Sequence, residues 1–346
     1  MMYERNALKQ LLKRTTCGTA LTLCAALGIL GSTASADAKP TYTTFDPTGS
    51  INTEAEGMNN PGWIAGDYED GKDIWHGFVR APDGTIASFD PSGSIGTFDD
   101  GAINKDGVTA GWYEDSSQFY HGWVRAADGT ITSFDPSGSI NTYATAINDS
   151  GVIVGQYEDG SFVYHGFVRK PNGKIKSFDY PGSINTYADW NNDSGEITGY
   201  YEDSSFVNHG FLRAADGTFT MFDPSGSINT DAIIINNKGA ITGWYGDSSH
   251  LYHGFVRAPD GTITSFDPPG SIETLGFGIN GRGEIVGPYK TSDQVWHGYK
   301  RASGGRIKSF DYPGSIYTEA YTNNNAGMIA GSYEDSSGVH GFVRTP

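Results

Sequence analysis

The sequence predicts an all-β fold, a seven-bladed β-propeller with four antiparallel strands per blade and a ring closed by its N-terminal strand. Two observations predict it: a repeat of 44–45 residues that fills the chain from residue 45 to 346, and a missing last strand that the N-terminal segment can replace. Phe-Asp recurs at 45, 89, 134, 178, 222, 266 and 310, and His-Gly at 76, 121, 165, 209, 253, 297 and 340. The steps are 44 or 45 residues, with one of 43 at the end.

Each unit divides into four short extended runs. In the third unit Thr142–Asn148 is extended, Asp149-Ser150-Gly151 turns it, and Val152–Tyr157 alternates as a second strand. Glu158–Val163 follows as a longer loop, Tyr164–Arg169 is the third strand, Pro171-Asn172-Gly173 reads as a hairpin turn, and Lys174–Asp179 is the fourth. No run has the 3.6-residue apolar period of a helix. Four strands in a unit of this length make a propeller blade. The seventh unit stops after its third strand, and Thr41-Tyr42-Thr43-Thr44-Phe45 matches the fourth-strand run Thr130-Ile131-Thr132-Ser133-Phe134. Pairing the two ends would leave no open edge.

Residues 1–36 read as a secretory signal. Arg5, Lys9, Lys13 and Arg14 form a basic start, residues 17–30 an apolar core, and Ala34-Ser35-Ala36 a small-residue cleavage site. The apolar run is too short for a permanent membrane anchor. Residues 37–346 are then a single propeller domain. Both cysteines, Cys17 and Cys24, lie in the signal, and Leu23 before Cys24 argues against lipidation. A cysteine-free exported chain points to a bacterial periplasm or medium. The cut removes four basic residues and one acidic residue from totals of 23 and 40, leaving 19 against 39 and a net charge of −20. That surface excludes nucleic acid and anionic lipid as partners. A monomer is expected.

The run I-N-x-x-G-x-I-x-G-x-Y…H-G-F-V-R-x-x-D-G, as in Ile147-Asn148…Gly151…Gly155…Tyr157…His165-Gly166-Phe167, resembles the HAF-type repeats of bacterial extracellular proteins. It departs from them in having Gly, not Ala, after each His. The resemblance covers residues 37–346 and implies an exported propeller-like repeat protein, without a catalytic motif.

Columns present in every unit build units. Seven histidines placed one per blade cannot share an ion, so each is read as a buried His held by a neighbouring Asp or Thr, with the Asp of Phe-Asp and the Thr of Gly-Ser-Ile-x-Thr as partners. The Arg column (80, 125, 169, 213, 257, 301, 344) reads as a structural cation paired with a neighbouring blade's carboxylate. Gly62 and its equivalents suit a turn with positive φ, and Gly66 and its equivalents a close strand approach. The Tyr-Glu-Asp loops read as a solvated acidic rim, with Ca2+ as the alternative, although they lack the oxygen alternation of a calcium loop. No other cofactor or metal site is indicated.

Function is therefore sought where units differ, on the face that joins the fourth-to-first and second-to-third strand loops. One column runs Glu54, Phe98, Tyr143, Tyr187, Asp231, Leu275, Glu319. Two positions on come Glu56, Thr145, Asp189, Ile233, Phe277 and Tyr321, and before the repeated Tyr come Asp67, Trp112, Gln156, Tyr200, Trp244, Pro288 and Ser332. Trp190 is a further outlier. Aromatic rings beside carboxylates suit a poly- or oligosaccharide, because rings stack on sugar C–H faces and acids accept hydroxyl protons. Glu54, Glu56, Asp231 and Glu319 are the candidate catalytic acids of a glycoside hydrolase. Asp67, Trp112, Tyr143, Tyr187, Asp189, Trp190, Tyr200, Trp244 and Tyr321 are the candidate substrate-binding residues. The alternatives are a multivalent lectin with one site per unit, or a non-catalytic scaffold for a protein or the cell surface. In the second view the variable residues only fill the channel.

Overall fold

The computed structural model describes residues 39–346, so the signal reading lies outside the described residues. Among them every regular element is a strand, and no helix is long and apolar enough to cross a membrane. In the third unit the strands are Ser139–Ile147, Ile153–Asp159, Tyr164–Arg169 and Ile175–Phe178, paired antiparallel in sequence order. The inner strand thus starts three residues earlier than expected, and the second strand runs on into the Tyr-Glu-Asp loop. Asp159 makes that extension possible: its Oδ1 accepts the N–H groups of Ser161 and Val163, so the loop closes as a tight turn.

The propeller class holds, but seven separate blades do not. The described strands form six sheets, four of four strands, one of five and one of eight. The eight-stranded sheet contains both the first and the last repeat unit, joined by a parallel bridge between Asn52 and Val339. The cause lies in the last turn. It is one residue shorter than its equivalents, and Gly338 there has φ +147° with the Ile51 carbonyl oxygen 2.6 Å from where a Cβ would stand. The third strand of unit 7 (Gly338–Thr345) therefore begins against the inner strand of unit 1 (Ser50–Met58). The same third strand pairs on its other side with Thr41–Phe45, in the register Thr41↔Thr345 to Phe45↔Gly341.

Three repeated contacts join the units. The asparagine after each inner strand accepts N–H groups of its own turn through Oδ1 and donates through Nδ2 to the carbonyl of the equivalent asparagine in the next unit. The series runs Asn59, Asn104, Asn148, Asn192, Asn236, Asn280, Asn324 and back to Asn59, with bonds of 2.8–3.5 Å. Each repeated histidine donates from Nδ1 to the Asp of its Phe-Asp at 2.7–2.9 Å, since a carboxylate only accepts. Thr53 and Thr97 donate to the same aspartates, Asp46 and Asp90. The histidines are half-buried, not fully buried as expected, and each packs against the repeated Tyr at 5.1–5.3 Å.

The arginine column corrects a second expectation. Among the described residues no carboxylate ion pair holds it; each guanidinium lies 4.6–5.1 Å over the Phe ring of the preceding unit's Phe-Asp, Arg80 over Phe45 and so on to Arg344 over Phe310. The Phe of the last strand is thus the surface on which the following unit docks.

Candidate functional site

The inner strands carry two of the three variable columns and the second strands the third, and in most units one local device sets the inner pair. Each of five inner strands has a register shift that skips a single residue: Glu56, Thr145, Asp189, Ile233 or Tyr321. In unit 2 the shift spans Phe98 to Ala102, and in unit 6 the strand breaks into Ser271–Thr274 and Gly278–Ile279. The bulge pushes the preceding carbonyl onto the glycine of the second strand. A Cβ at Gly155 would stand 2.0 Å from the Tyr143 oxygen, and the same holds at Gly66 against Glu54 and Gly331 against Glu319. Glycine is required there because the bulged strand leaves no room for a side chain.

This geometry builds an aromatic series across units 1 to 4. Trp75 meets Phe98 at 6.2 Å, and Phe98 stacks on Trp112 at 4.1 Å and 18°. Trp112 meets Tyr120 and Tyr143, Tyr143 meets Tyr164 at 6.3 Å, Tyr164 meets Tyr187 at 5.1 Å, and Tyr187 stacks on Tyr200 at 4.5 Å and 11°. Trp112, Tyr143 and Tyr200 are buried, whereas Trp75, Phe98, Tyr120, Tyr164 and Tyr187 are half-buried and form the accessible layer. Burial, reinforced by Tyr164 and Tyr120, holds the Tyr143 phenol far above its ordinary value, so it is a neutral hydroxyl.

Carboxylates stand on units 5, 7, 1 and 2. Asp231 accepts the Asn208 side-chain amide at 3.1 Å. Glu319 accepts the Tyr321 hydroxyl, which itself accepts from Ser332 at 3.1 Å. Burial first, then the charges of Glu319 and Glu54, hold the Tyr321 phenol well above its ordinary value. Asp67 accepts the backbone N–H of Asp99 at 3.3 Å, and Asp99 accepts the Thr109 hydroxyl. Burial, with Glu56 and Asp100 beside it, holds Asp99 well above the usual carboxylate range. Asp100 accepts the Trp112 indole N–H at 3.2 Å, joining the acidic and aromatic parts.

Of the candidate acids, Glu54 and Glu56 stand on the inner strand of unit 1 and Glu319 on that of unit 7, units that share one sheet, while Asp231 stands on unit 5. Glu54, Asp231 and Glu319 are only 5–7% exposed, and Glu56 is half-buried. Tyr143, Tyr187, Tyr200 and Trp112 fall in one series. Trp244 and Tyr321 form a separate one through Phe277, at 5.4 and 5.8 Å. Asp189 is a buried bulge residue. Trp190, partly buried, packs against the hydrophobic clusters that hold Ile197 and Ile235 and stands apart from that series. Trp75, Tyr120 and Tyr164 were not expected. They stand before the repeated His, and that column varies as much as the three that were used (Trp75, Tyr120, Tyr164, Asn208, Tyr252, Trp296, Val339).

In the Tyr-Glu-Asp loops each leading Asp is committed. In unit 3, Asp159 Oδ1 takes two turn N–H groups and Oδ2 lies 3.5 Å from His165 Nε2. Among the described residues no three His, Cys, Asp or Glu side chains group to hold a metal ion.

No protein-family model matches the chain, and no curated protein matches it in sequence. Solved structures do match in fold. The β-propeller domain of the Trilobed protease from Pyrococcus furiosus aligns at TM-score 0.62 and 8% identity, over 85% of this chain and 95% of that one. The BP39L lectin from Burkholderia pseudomallei aligns at TM-score 0.56 and 10% identity, over 85% and 96%. TolB from Acinetobacter baumannii aligns at 0.51 and 13%, over 71% of this chain and 62% of that one. At these identities the likeness is one of fold.

Proposed function

We propose that this chain is an exported saccharide-binding propeller with one site, built from the first three strands of its units. The observation that carries the reading is the aromatic series of units 1 to 4, which Trp112 joins to a carboxylate, Asp100 of unit 2. Stacked rings offer apolar faces of the right kind for sugar C–H groups, and the carboxylates and phenols offer hydroxyl partners. A selective binder fits better than a hydrolase, because Glu54, Asp231 and Glu319 are almost fully buried and Glu319 already accepts a hydrogen bond from the Tyr321 hydroxyl. One site fits better than one per unit, because the side chains common to all units are spent on each other in His–Asp and Arg–Phe contacts. BP39L is a lectin on a similar fold, which supports the reading to the extent that a fold can. Export rests on the basic, apolar and small-residue order of residues 1–36, and the HAF-type repeat agrees with it.

The test is calorimetry of the purified chain against a panel of plant and bacterial glycans, with release of reducing ends followed in parallel. One saccharide bound per chain, without new reducing ends, is expected. About seven per chain would overturn the reading in favour of a multivalent lectin, no binding would overturn it altogether, and reducing-end release lost in Glu54→Gln or Glu319→Gln would make the protein a hydrolase.

A further inference from the structure

The second-to-third strand turn places one non-glycine residue at positive φ in six units: Asp73, Gln118, Phe162, Phe206, His250 and Gln294, at 60–69°. Asp and His are types that tolerate this left-handed region; a bulky aromatic is an outlier there. Phe occupies it only in units 3 and 4. Both rings are 73% exposed, so burial does not offset the backbone cost. Two neighbouring units thus each carry a residue that the fold itself disfavours twice over.

The turns that hold these rings are firm. The Phe162 N–H donates to the Asp159 carbonyl at 2.9 Å and the Phe206 N–H to that of Asp203 at 3.0 Å. Each aspartate's side chain caps the same turn, at Ser161 and Val163 or at Ser205 and Val207. Phe162 lies two residues before Tyr164, a member of the inner series, and the Tyr164 N–H donates to Asn185 of unit 4 at 2.9 Å. The Phe162 turn is thus held at the end of the aromatic series where units 3 and 4 meet, and the Phe206 turn one unit on, where the Asn208 N–H donates to Asn229.

We infer that Phe162 and Phe206 form an outer stacking platform continuing the inner aromatic series, so that the ligand is an extended neutral polysaccharide chain and not a terminal sugar. This rests on the saccharide reading above. Neutrality follows from the charge: the sequence carries a net −17, and the aspartates of both turns stand beside the rings, so a uronate chain would be repelled.

The experiment is calorimetry with malto-, cello-, xylo- and manno-oligosaccharides from dimers to octamers, on wild type and on the double variant Phe162→Gln/Phe206→Gln. Glutamine already stands at this position in units 2 and 6, so the variant keeps the turn and its thermal midpoint is unchanged or higher. Wild-type affinity is expected to rise with chain length for one of the series. In the double variant the octamer should bind about tenfold more weakly while the dimer is unaffected, and Phe162→Trp/Phe206→Trp should restore the rise. A double variant that binds the octamer as wild type does, or loses dimer and octamer equally, overturns the platform and leaves the saccharide reading standing. Failure of the wild type to bind any oligosaccharide or polymer overturns both. Partition of wild type, but not of the double variant, onto phosphatidylcholine vesicles would assign the rings to a lipid surface and overturn the inference.

Discussion

An asparagine follows the inner strand of every unit, and in six of the seven units the residue five places earlier is a candidate site residue or its equivalent. At the asparagine the units behave identically, each side chain bonding its own turn and the next unit's carbonyl until the series returns to Asn59. Five places earlier they share almost nothing, with Glu54, Tyr143, Tyr187, Asp231, Leu275 and Glu319 at one position. The difference teaches how one strand can do both. The variable position is fixed through its carbonyl, pressed against a glycine of the second strand, so the identity of its side chain is not what sets the strand's path. Identity is demanded only where a side chain makes the contact.

The largest effect should come at the repeated end. Asn148→Ala removes the 3.0 Å bond to Asn192 and leaves the Ser150 and Val152 N–H groups of its turn without their acceptor. A buried polar group stripped of its partners costs about 2–3 kcal/mol in all. Denaturant melts should show that loss, and a variant as stable as wild type would mean that the closed asparagine series contributes nothing to holding units together.

An intermediate effect is expected from the histidines. Burial disfavours the charged ring of His121, but Asp135 and Asp115 outweigh it and hold the group above its ordinary value; Asp267 and Asp247 do the same for His253, and Asp46 and Asp335 for His340. A base with a raised folded value contributes stability that is complete below its unfolded value of 6.5 and is lost as the pH rises through the folded value. The aspartates act in the other direction. Asp115 is held below 3.8, above all by the Phe119 N–H, so its contribution is lost only as the pH falls beneath that range. The thermal midpoint should therefore be highest between about pH 4 and 6.5 and decline through neutrality. In the triple variant His121→Gln/His253→Gln/His340→Gln the decline should flatten. An equal slope in both proteins would assign it to the general acidic charge.

Much of this division was legible in the sequence. The repeat, the N-terminal strand's match to the last unit, the His–Asp partnership and the crowding at Gly155 all follow from residues a fixed spacing apart. What escaped depends on neighbours in different units, which spacing within a unit does not reveal. The Arg–Phe contact joins Arg80 to Phe45 of the preceding strand, and the asparagine bonds each span a whole repeat. The merging of the first and last units into one sheet turns on a single shortened turn at Gly338. Of the candidate site's aromatic series, Trp112, Tyr143, Tyr187 and Tyr200 follow from the varying columns, Tyr164 and Tyr120 sit in a further varying column beside the repeated His, and Trp190 packs against the core.

The smallest stability effect, and the sharpest contrast, belongs to Tyr187. It is half-buried, stacks on Tyr200 and meets Tyr164, but its carbonyl and not its ring holds the strand against Gly199. Tyr187→Leu keeps an apolar side chain on that backbone and should cost about 1 kcal/mol or less, the worth of the ring contacts it loses. Glycan binding should fall by about tenfold, because the accessible layer between Tyr164 and Tyr200 is broken at its centre. Melts and calorimetry on the same preparation read both quantities. Were Tyr187→Leu instead to destabilise as much as Asn148→Ala while leaving binding intact, the inner positions would be packing residues like the rest, and the two ends of the strand would obey one rule.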